Sequence, residues 1–390
     1  MAEQILYPSY TLLDGVSVTR GRIDSVYARM VIAAVTVGIV FVLSASFPLA
    51  DRTLHGGYSL YFLYRQLFFA GLGLIGLVAM ILIPLQMVSS TGLLVVGALV
   101  GAAAMVACRV GPFADPAGGS FCWLKLSSTV RIQPSEFVKV LYVVMLARIL
   151  AGPTSATCTR NMILGRVLLA MSGFCLLLLF QKDLGMSLLV VGLTLGMLFL
   201  GGYRLWQIAG LAAVAGLTGV GYAHSSPVRW DRITSFMDPV ASIHGGGFQL
   251  CQMMGTLARG GIGGLGLGMS PDKWGGLPAP HTDSIFCVMG AELGLVGGVM
   301  FLGLVMWMMG RGLRIAQRAA FPTGWYTACG IALLLGLQSL INIGVATVSI
   351  PCTGLTLPFI SFGGSSLVSS MVAAGIMLGI SRYSAVERDE

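Results

Sequence analysis

The stretch LPAPHTDSIF, Leu277 to Phe286, closes a glycine-rich segment and opens a strongly apolar one. His281, Thr282 and Asp283 sit at its centre, at the mouth of a run (283–309) long enough to cross a bilayer. Upstream lies a loop of about 58 residues, 225–282. Loops of that length are functional or disordered. This one carries Trp230, Phe236, Phe248 and Trp274 among glycines such as Gly245, Gly260, Gly264 and Gly268, which argues against disorder. The composition suits a re-entrant or amphipathic segment held against protein, since irregular backbone at membrane depth survives only where protein buries it or it lines a wet cavity.

The rest of the chain has the same apolar character. Of 390 residues, 56% are hydrophobic and 10% charged, with a mean hydropathy of +0.87. An ordinary soluble domain is roughly 25% charged. Apolar runs place membrane helices near 29–49, 60–84, 91–110, 134–151, 162–180, 186–202, 205–224, 283–309, 324–350 and 364–381. The expected fold is therefore an all-α polytopic membrane protein of about ten transmembrane helices, with a long extracytoplasmic loop between helices 7 and 8 and no separate soluble domain. Residues 1–28 read as a cytoplasmic N-terminal tail, 29–382 as the membrane domain and 383–390 as a cytoplasmic C-terminal tail. The polar stretch before the first span has no small-residue cleavage site at its end, so the first span is expected to be retained.

The net charge of +8 is scattered between spans rather than gathered in a patch, which points to membrane orientation and away from nucleic acid. Arg20, Arg22 and Arg29 flank the first span and Arg311, Arg314 and Arg318 follow the eighth, so the positive-inside rule places both termini in the cytoplasm. The eight cysteines form no CxxC pair and have no histidine at ligand spacing, which indicates neither a metal site nor a disulfide framework.

Several charges fall inside apolar runs: Arg65, Glu136, Lys139 and Glu292. Each carries a penalty of at least about 2.5 to 3.5 kcal/mol at the bilayer centre. Glu136 and Lys139 are three apart and share a helix face, so they either neutralise one another or serve an internal polar cavity. Arg65 either snorkels or lines such a cavity. Glu292, without a local partner, is either protonated or paired across the bundle. A cation-ringed cavity of this kind suits an anionic, lipid-linked substrate, in an enzyme or in a transporter.

Three motifs go further: RIQPSEFVK (Arg131 to Lys139), the loop core from Gly245 to Phe286, and GLTLPFISFGGSS (Gly354 to Ser366). With the Arg65-Gln66 pair and QKDLG (Gln181 to Gly185), they closely resemble the SEDS family, the shape, elongation, division and sporulation proteins of bacteria, over nearly the whole chain. GLTLPFISFGG and INIGV (Ile341 to Val345) resemble the division branch more than the elongation branch.

The resemblance implies a ten-span peptidoglycan glycosyltransferase that polymerises lipid II on the outer face of the cytoplasmic membrane. It works with a class B penicillin-binding protein, a transpeptidase, and with other divisome proteins. The resemblance places the catalytic carboxylate on Asp283, with His281 and Thr282 at the substrate beside it. Arg65, Arg131 and Lys139 would hold the donor diphosphate, Glu136 would orient Lys139 or a cation, and Arg229 and Arg232 would contact phosphate. For Arg229 and Arg232 the bland alternative is pairing with Asp231 or Asp238; for His-Thr-Asp it is a helix N-cap. A divalent cation, Mg or Mn, bridging the diphosphate is compatible with the chemistry, although no dense carboxylate cluster marks a metal site.

The chain departs from the family pattern at Ser284, where an aromatic is usual, and at Ala291, where an acid is usual. It departs again at Cys122, before Trp123, and at Phe362, where a tyrosine is usual. A lipid-linked precursor transporter, or a scaffold without activity, are the rival readings.

Overall fold

The computed structural model describes residues 16–53, 60–111, 114–117, 120–125, 127, 131–152 and 159–387. A strand β1 (Val16–Arg20) leads into α1 (Ser25–Thr53), α2 (Tyr61–Leu82), the single turn α3 (Leu85–Val88) and α4 (Thr91–Val110). Three short strands, β2 (Ala114–Ala117), β3 (Ser120–Lys125) and β4 (Arg131–Ile132), precede α5 (Pro134–Leu150), α6 (Arg160–Phe180), α7 (Leu184–Leu200) and α8 (Leu205–His224). The long loop contains α9 (Pro227–Met237), α10 (Gly247–Gly260) and a 3-10 turn at Asp272–Trp274. The chain ends with α11 (Ile285–Gln317), α12 (Pro322–Ala346), α13 (Gly364–Ser381) and β5 (Tyr383–Glu387).

Each of the ten expected helices is present. Eight are long and apolar enough to cross a membrane; the other two, α5 and α7, have 17 residues each. The boundaries shift for identifiable reasons. α1 begins at Ser25, inside the stretch assigned to the tail, because Asp24 Oδ1 accepts the Tyr27 amide at 2.8 Å and caps the helix one turn before the apolar run. α12 begins at Pro322, a residue pre-organised for the first helical position. Two small antiparallel sheets, β1–β5 and β2–β3–β4, had no signal in the apolar pattern.

β1 pairs with β5, and Asp24 receives Arg311 Nε at 2.9 Å, so the first and last described strands and the last turns of α11 meet at one end of the bundle. The segment 277–284, at the start of α11, lies at the opposite end. α2 and α13 run together through close backbone approach: a Cβ on Gly375 would stand 2.5 Å from the Leu77 carbonyl oxygen. Small residues permit this approach between membrane helices.

The long loop is folded, and the feature that folds it is a break in α11. Gly294 has φ 69° and ψ −170°, so the helix there cannot close its bonds from Leu295 to Ala291 and from Val296 to Glu292. The segment after α10 takes all four freed groups. Leu265 N donates to Ala291 O at 2.9 Å and Gly266 N to Glu292 O at 3.0 Å. Leu295 N donates to Gly261 O at 2.9 Å and Val296 N to Ile262 O at 3.3 Å. The expected re-entrant character is realised as a strand-like graft onto a broken helix, where each exposed polar group would otherwise carry a penalty of several kcal/mol.

Gly264 lies in that graft at φ +80°, and a Cβ there would stand 2.3 Å from Glu292 O. Gly264→Ala is expected to destabilise the detergent-solubilised protein by about 2 kcal/mol or more. Gly263→Ala, which meets nothing within 4 Å, should stay within about 0.5 kcal/mol of the parent; thermal melts of the two variants check this.

Candidate active site

The segment before α11 is a tight turn built on Ala279, a non-glycine residue at φ 47°. The amides of Thr282 and Ser284 both donate to Ala279 O, at 3.2 and 3.3 Å, and Ser284 Oγ donates to Pro278 O at 2.9 Å. Ser284 occupies the N-cap position of α11 and makes no side-chain cap bond. The His-Thr-Asp triplet is therefore not used as a cap. The Asp283 carboxylate makes no hydrogen bond among the described residues.

Neighbouring elements hold its backbone. Asn342 Nδ2 on α12 donates to Asp283 O at 3.2 Å and to Leu355 O at 2.7 Å. Ser361 Oγ donates to Thr282 O, and Phe362 N to His281 O, each at 2.8 Å. The segment between α12 and α13 thus lies along the Asp283 turn. Asp283 Oδ2 faces Gly354, where an added Cβ would sit 3.8 Å from the oxygen.

Burial raises the Asp283 carboxyl above the ordinary carboxylate range, while the Arg232 guanidinium on α9 pulls it down. Of the two candidate cations on α9, Arg232 is the one whose charge reaches Asp283; among the described residues neither Arg229 nor Arg232 pairs with Asp231 or Asp238. Arg229 stacks on Tyr222, 3.8 Å from the ring centroid. His281 lies between aromatic rings, 4.8 Å from Phe62 and 5.5 Å from Phe362. Burial lowers its pKa to about 4, so it is neutral at pH 7.

The remaining candidates have partners of their own. Arg131 is exposed and pairs with Asp115 at 2.7 Å. Arg65 bonds the Tyr61 hydroxyl at 2.9 Å and lies over the Tyr61 and Phe69 rings, one turn along α2 from Phe62. Lys139 and Glu136 are 1% and 2% exposed and bonded to each other. Lys139 also donates to Gln338 Oε1 at 2.8 Å, and Glu136 Oε2 accepts Ser369 Oγ at 3.0 Å. Of the two roles open to this pair, mutual neutralisation is the one on view. The pair still connects to Asp283: Gln338 Nε2 donates to Thr356 O at 2.9 Å, and Gln338 lies one helical turn from Asn342.

Glu292 is paired, as one alternative allowed, and its partner is Lys273 from the long loop, at 2.9 Å. Sequence reading missed this partner, and also Asn342, Gln338 and Gly354. A polar pair at i, i+4 inside an apolar helix was the available signal for Gln338 and Asn342. Nothing in the sequence marked Gly354 as a neighbour of Asp283. Among the described residues, no group of three or more His, Cys, Asp or Glu converges to hold a metal.

A family model covering FtsW, RodA and SpoVE, described as cell cycle protein, matches residues 24–386. The chain belongs to this family. It is 36% identical over 372 residues to stage V sporulation protein E of Bacillus subtilis, covering 93% of this chain and 97% of that protein. It is 35% identical over 360 residues to a probable peptidoglycan glycosyltransferase FtsW of Halorhodospira halophila, covering 91% and 90%. Among solved structures, a chain from work on polymerization and crosslinking by a peptidoglycan synthase complex superposes with TM-score 0.74 at 27% identity, covering 94% of this chain and 99% of that one. The rod shape determining protein RodA of Thermus thermophilus superposes with TM-score 0.67 at 25% identity, covering 92% and 97%. The motif resemblance to SEDS proteins is borne out over the full length of the membrane domain.

Removing Lys139 would strand Glu136 as an unpaired buried charge. Lys139→Met is expected to lose about 3 to 5 kcal/mol of stability. Combining it with Glu136→Gln should recover much of that loss, and a double-mutant cycle of thermal melts measures the coupling.

Proposed function

We propose that the chain is a peptidoglycan glycosyltransferase that polymerises lipid II in septal wall synthesis, with Asp283 as its general base. The observation that carries this reading is the Asp283 carboxylate itself. It is half-buried, lacks a hydrogen-bond partner among the described residues, is raised by desolvation, and lies at the end of the bundle opposite the β1–β5 sheet. With the termini cytoplasmic, as the arginine distribution favours, Asp283 faces the outer side of the cytoplasmic membrane, where a lipid-linked disaccharide is used.

In the proposed reaction Asp283 takes the proton from the acceptor sugar hydroxyl. The freed oxygen attacks the donor's anomeric carbon from the face opposite the diphosphate. The bond from that carbon to the diphosphate oxygen breaks, and undecaprenyl diphosphate leaves with the electron pair, inverting the centre. A carboxylate with an ordinary pKa of about 3.9 is a weak base. Raising it brings it closer to working pH, where a positioned base contributes about 10²- to 10⁴-fold. Arg232 is the cation nearest in effect, and it stabilises negative charge developing beside Asp283. Arg65, Arg131 and Arg229 are the further donors for diphosphate on this reading, with Thr282 and neutral His281 shaping the acceptor side. Glu136 and Lys139 act from below, holding Gln338 and through it the segment that faces Asp283. The donor set at Asp283 does not make a resident metal site, so a Mg or Mn ion would come with the diphosphate.

A carrier would need its basic groups to line one continuous passage. Lys139, the deepest of them, is sealed by Glu136 and Gln338, which favours the enzyme over the transporter. A class B penicillin-binding protein is the proposed partner, supported by the similarity to a chain from a complex in which polymerization and crosslinking are coordinated.

The decisive assay supplies lipid II to the chain purified with its transpeptidase partner. Asp283→Asn should reduce glycan polymer by about 10²-fold or more while remaining folded and partner-bound; polymer at the parental level would remove Asp283 from the chemistry. The acid limb of the rate gives an independent check. The base must be ionised, so activity falls as pH drops through the Asp283 pKa, and the limb should lie above the ordinary carboxylate value. Arg232 holds that pKa down, so Arg232→Ala should move the limb to higher pH.

A further inference from the structure

Lys273 and Glu292 meet in the interior with side chains 4% and 0% exposed. Ser44 of α1 completes the contact: its hydroxyl lies 2.7 and 2.9 Å from the two Glu292 carboxylate oxygens and accepts from Lys273 Nζ at 3.0 Å. Three elements distant in sequence therefore converge on one ion pair. Along the chain, Lys273 precedes Asp283 by ten residues (283 − 273) and Glu292 follows it by nine (292 − 283). The contact closes a loop with Asp283 near its midpoint.

We infer that the Lys273–Glu292 ion pair is a positioning clamp for the reaction at Asp283, fixing how deep the turn that carries this carboxylate sits. The inference rests on the reading of Asp283 as the base. Both anchors of the clamp are themselves held. Beside Lys273, Asp272 pairs with Arg259 of α10, and its carbonyl accepts the amides of Gly276 and Leu277 at 2.9 Å each, which sets the chain's direction into the Asp283 turn. Glu292 lies two residues before the break at Gly294, and its carbonyl receives Gly266 from the long loop. The short half-helix between Asp283 and the break is thus tied to the loop by backbone and by charge.

Stability alone is a poor account of such a pair. Apolar residues of equal volume often stabilise as well as a buried ion pair, because desolvation offsets the attraction. What they lack is a preferred direction and distance. Depth matters at this turn, since a displacement of about 1 Å at a reacting group can lower a rate about 10²-fold. The charged and titratable groups that face Asp283 are Arg232 from α9 and Cys352 from the segment between α12 and α13; His281, on the same turn, has its ring between Phe62 and Phe362. Ser44→Ala leaves both charges of the clamp in place, so a changed titration of Asp283 in that variant reports movement of the turn.

The test measures polymer formation from lipid II by the chain with its transpeptidase partner, as kcat and KM across pH. Glu292→Gln should lower kcat by about 10- to 100-fold, leave KM within about twofold, and move the acid limb toward lower pH as Asp283 relaxes toward water. Exchanging the charges, Lys273→Glu with Glu292→Lys, should restore part of the rate and of the limb. An unchanged kcat, or a rate that falls only with the folded fraction while the limb stays fixed, overturns the clamp. If Glu292→Gln does not fold, Ser44→Ala carries the test: a smaller shift in the same direction supports the clamp and a fixed limb overturns it. Asp283→Asn in the same assay separates the two readings. Parental polymer from Asp283→Asn removes the base and the clamp together, whereas loss of polymer there with a fixed limb in the clamp variants removes the clamp alone.

Discussion

The structure depends on the backbone exchange at the break in α11. A helix in hydrocarbon cannot leave amides and carbonyls unpaired, and Gly294 frees two of each. The segment 261–266 supplies the complementary partners, two amides and two carbonyls. From this exchange follows the rest of the outer architecture: a long loop anchored to α11, α10 lying against that helix, and a short half-helix preceded by Asp283. Without a partner segment the break would be untenable, and without the break the loop would have nothing to bind.

Charge follows the same logic as backbone. The buried carboxylates Glu136 and Glu292 each have a lysine and a hydroxyl: Lys139 with Ser369, and Lys273 with Ser44. Asp283 has neither and is only half-buried. Its carboxylate meets a cation through space, from Arg232, and its pKa rises because burial outweighs that attraction. Asp272, also buried, has the Arg259 guanidinium, so Asp283 differs from these three in lacking a bonded partner among the described residues.

The departures from the family pattern find local roles. Ser284, in place of an aromatic, closes the turn through its bond to Pro278 O. Cys122 donates to Asp183 Oδ2 at 3.4 Å, linking β3 to the cap of α7. Phe362, which lacks the tyrosine hydroxyl, packs edge-on to Phe62 and beside His281. For Ala291, where an acid is usual, the structure shows a buried side chain with no polar role.

The amino-acid sequence by itself determined the membrane class, the ten helices and the family, because apolar run length is dictated by bilayer thickness and the motifs are contiguous. It also singled out Asp283, through resemblance carried by neighbouring residues. Tertiary structure alone decided what each charge does. Lys273 reads in sequence as one more loop cation, and becomes a partner of Glu292 only when α11 breaks and the loop folds back. Lys139 reads as a substrate ligand or as a salt-bridge member with equal ease, until Gln338, 199 residues away, closes over it. The strands β1 and β5 pair across the whole length of the chain. Local pattern reports periodicity and burial, whereas the pairing of charges and of broken backbone depends on distances between segments remote in sequence, which no window along the chain contains.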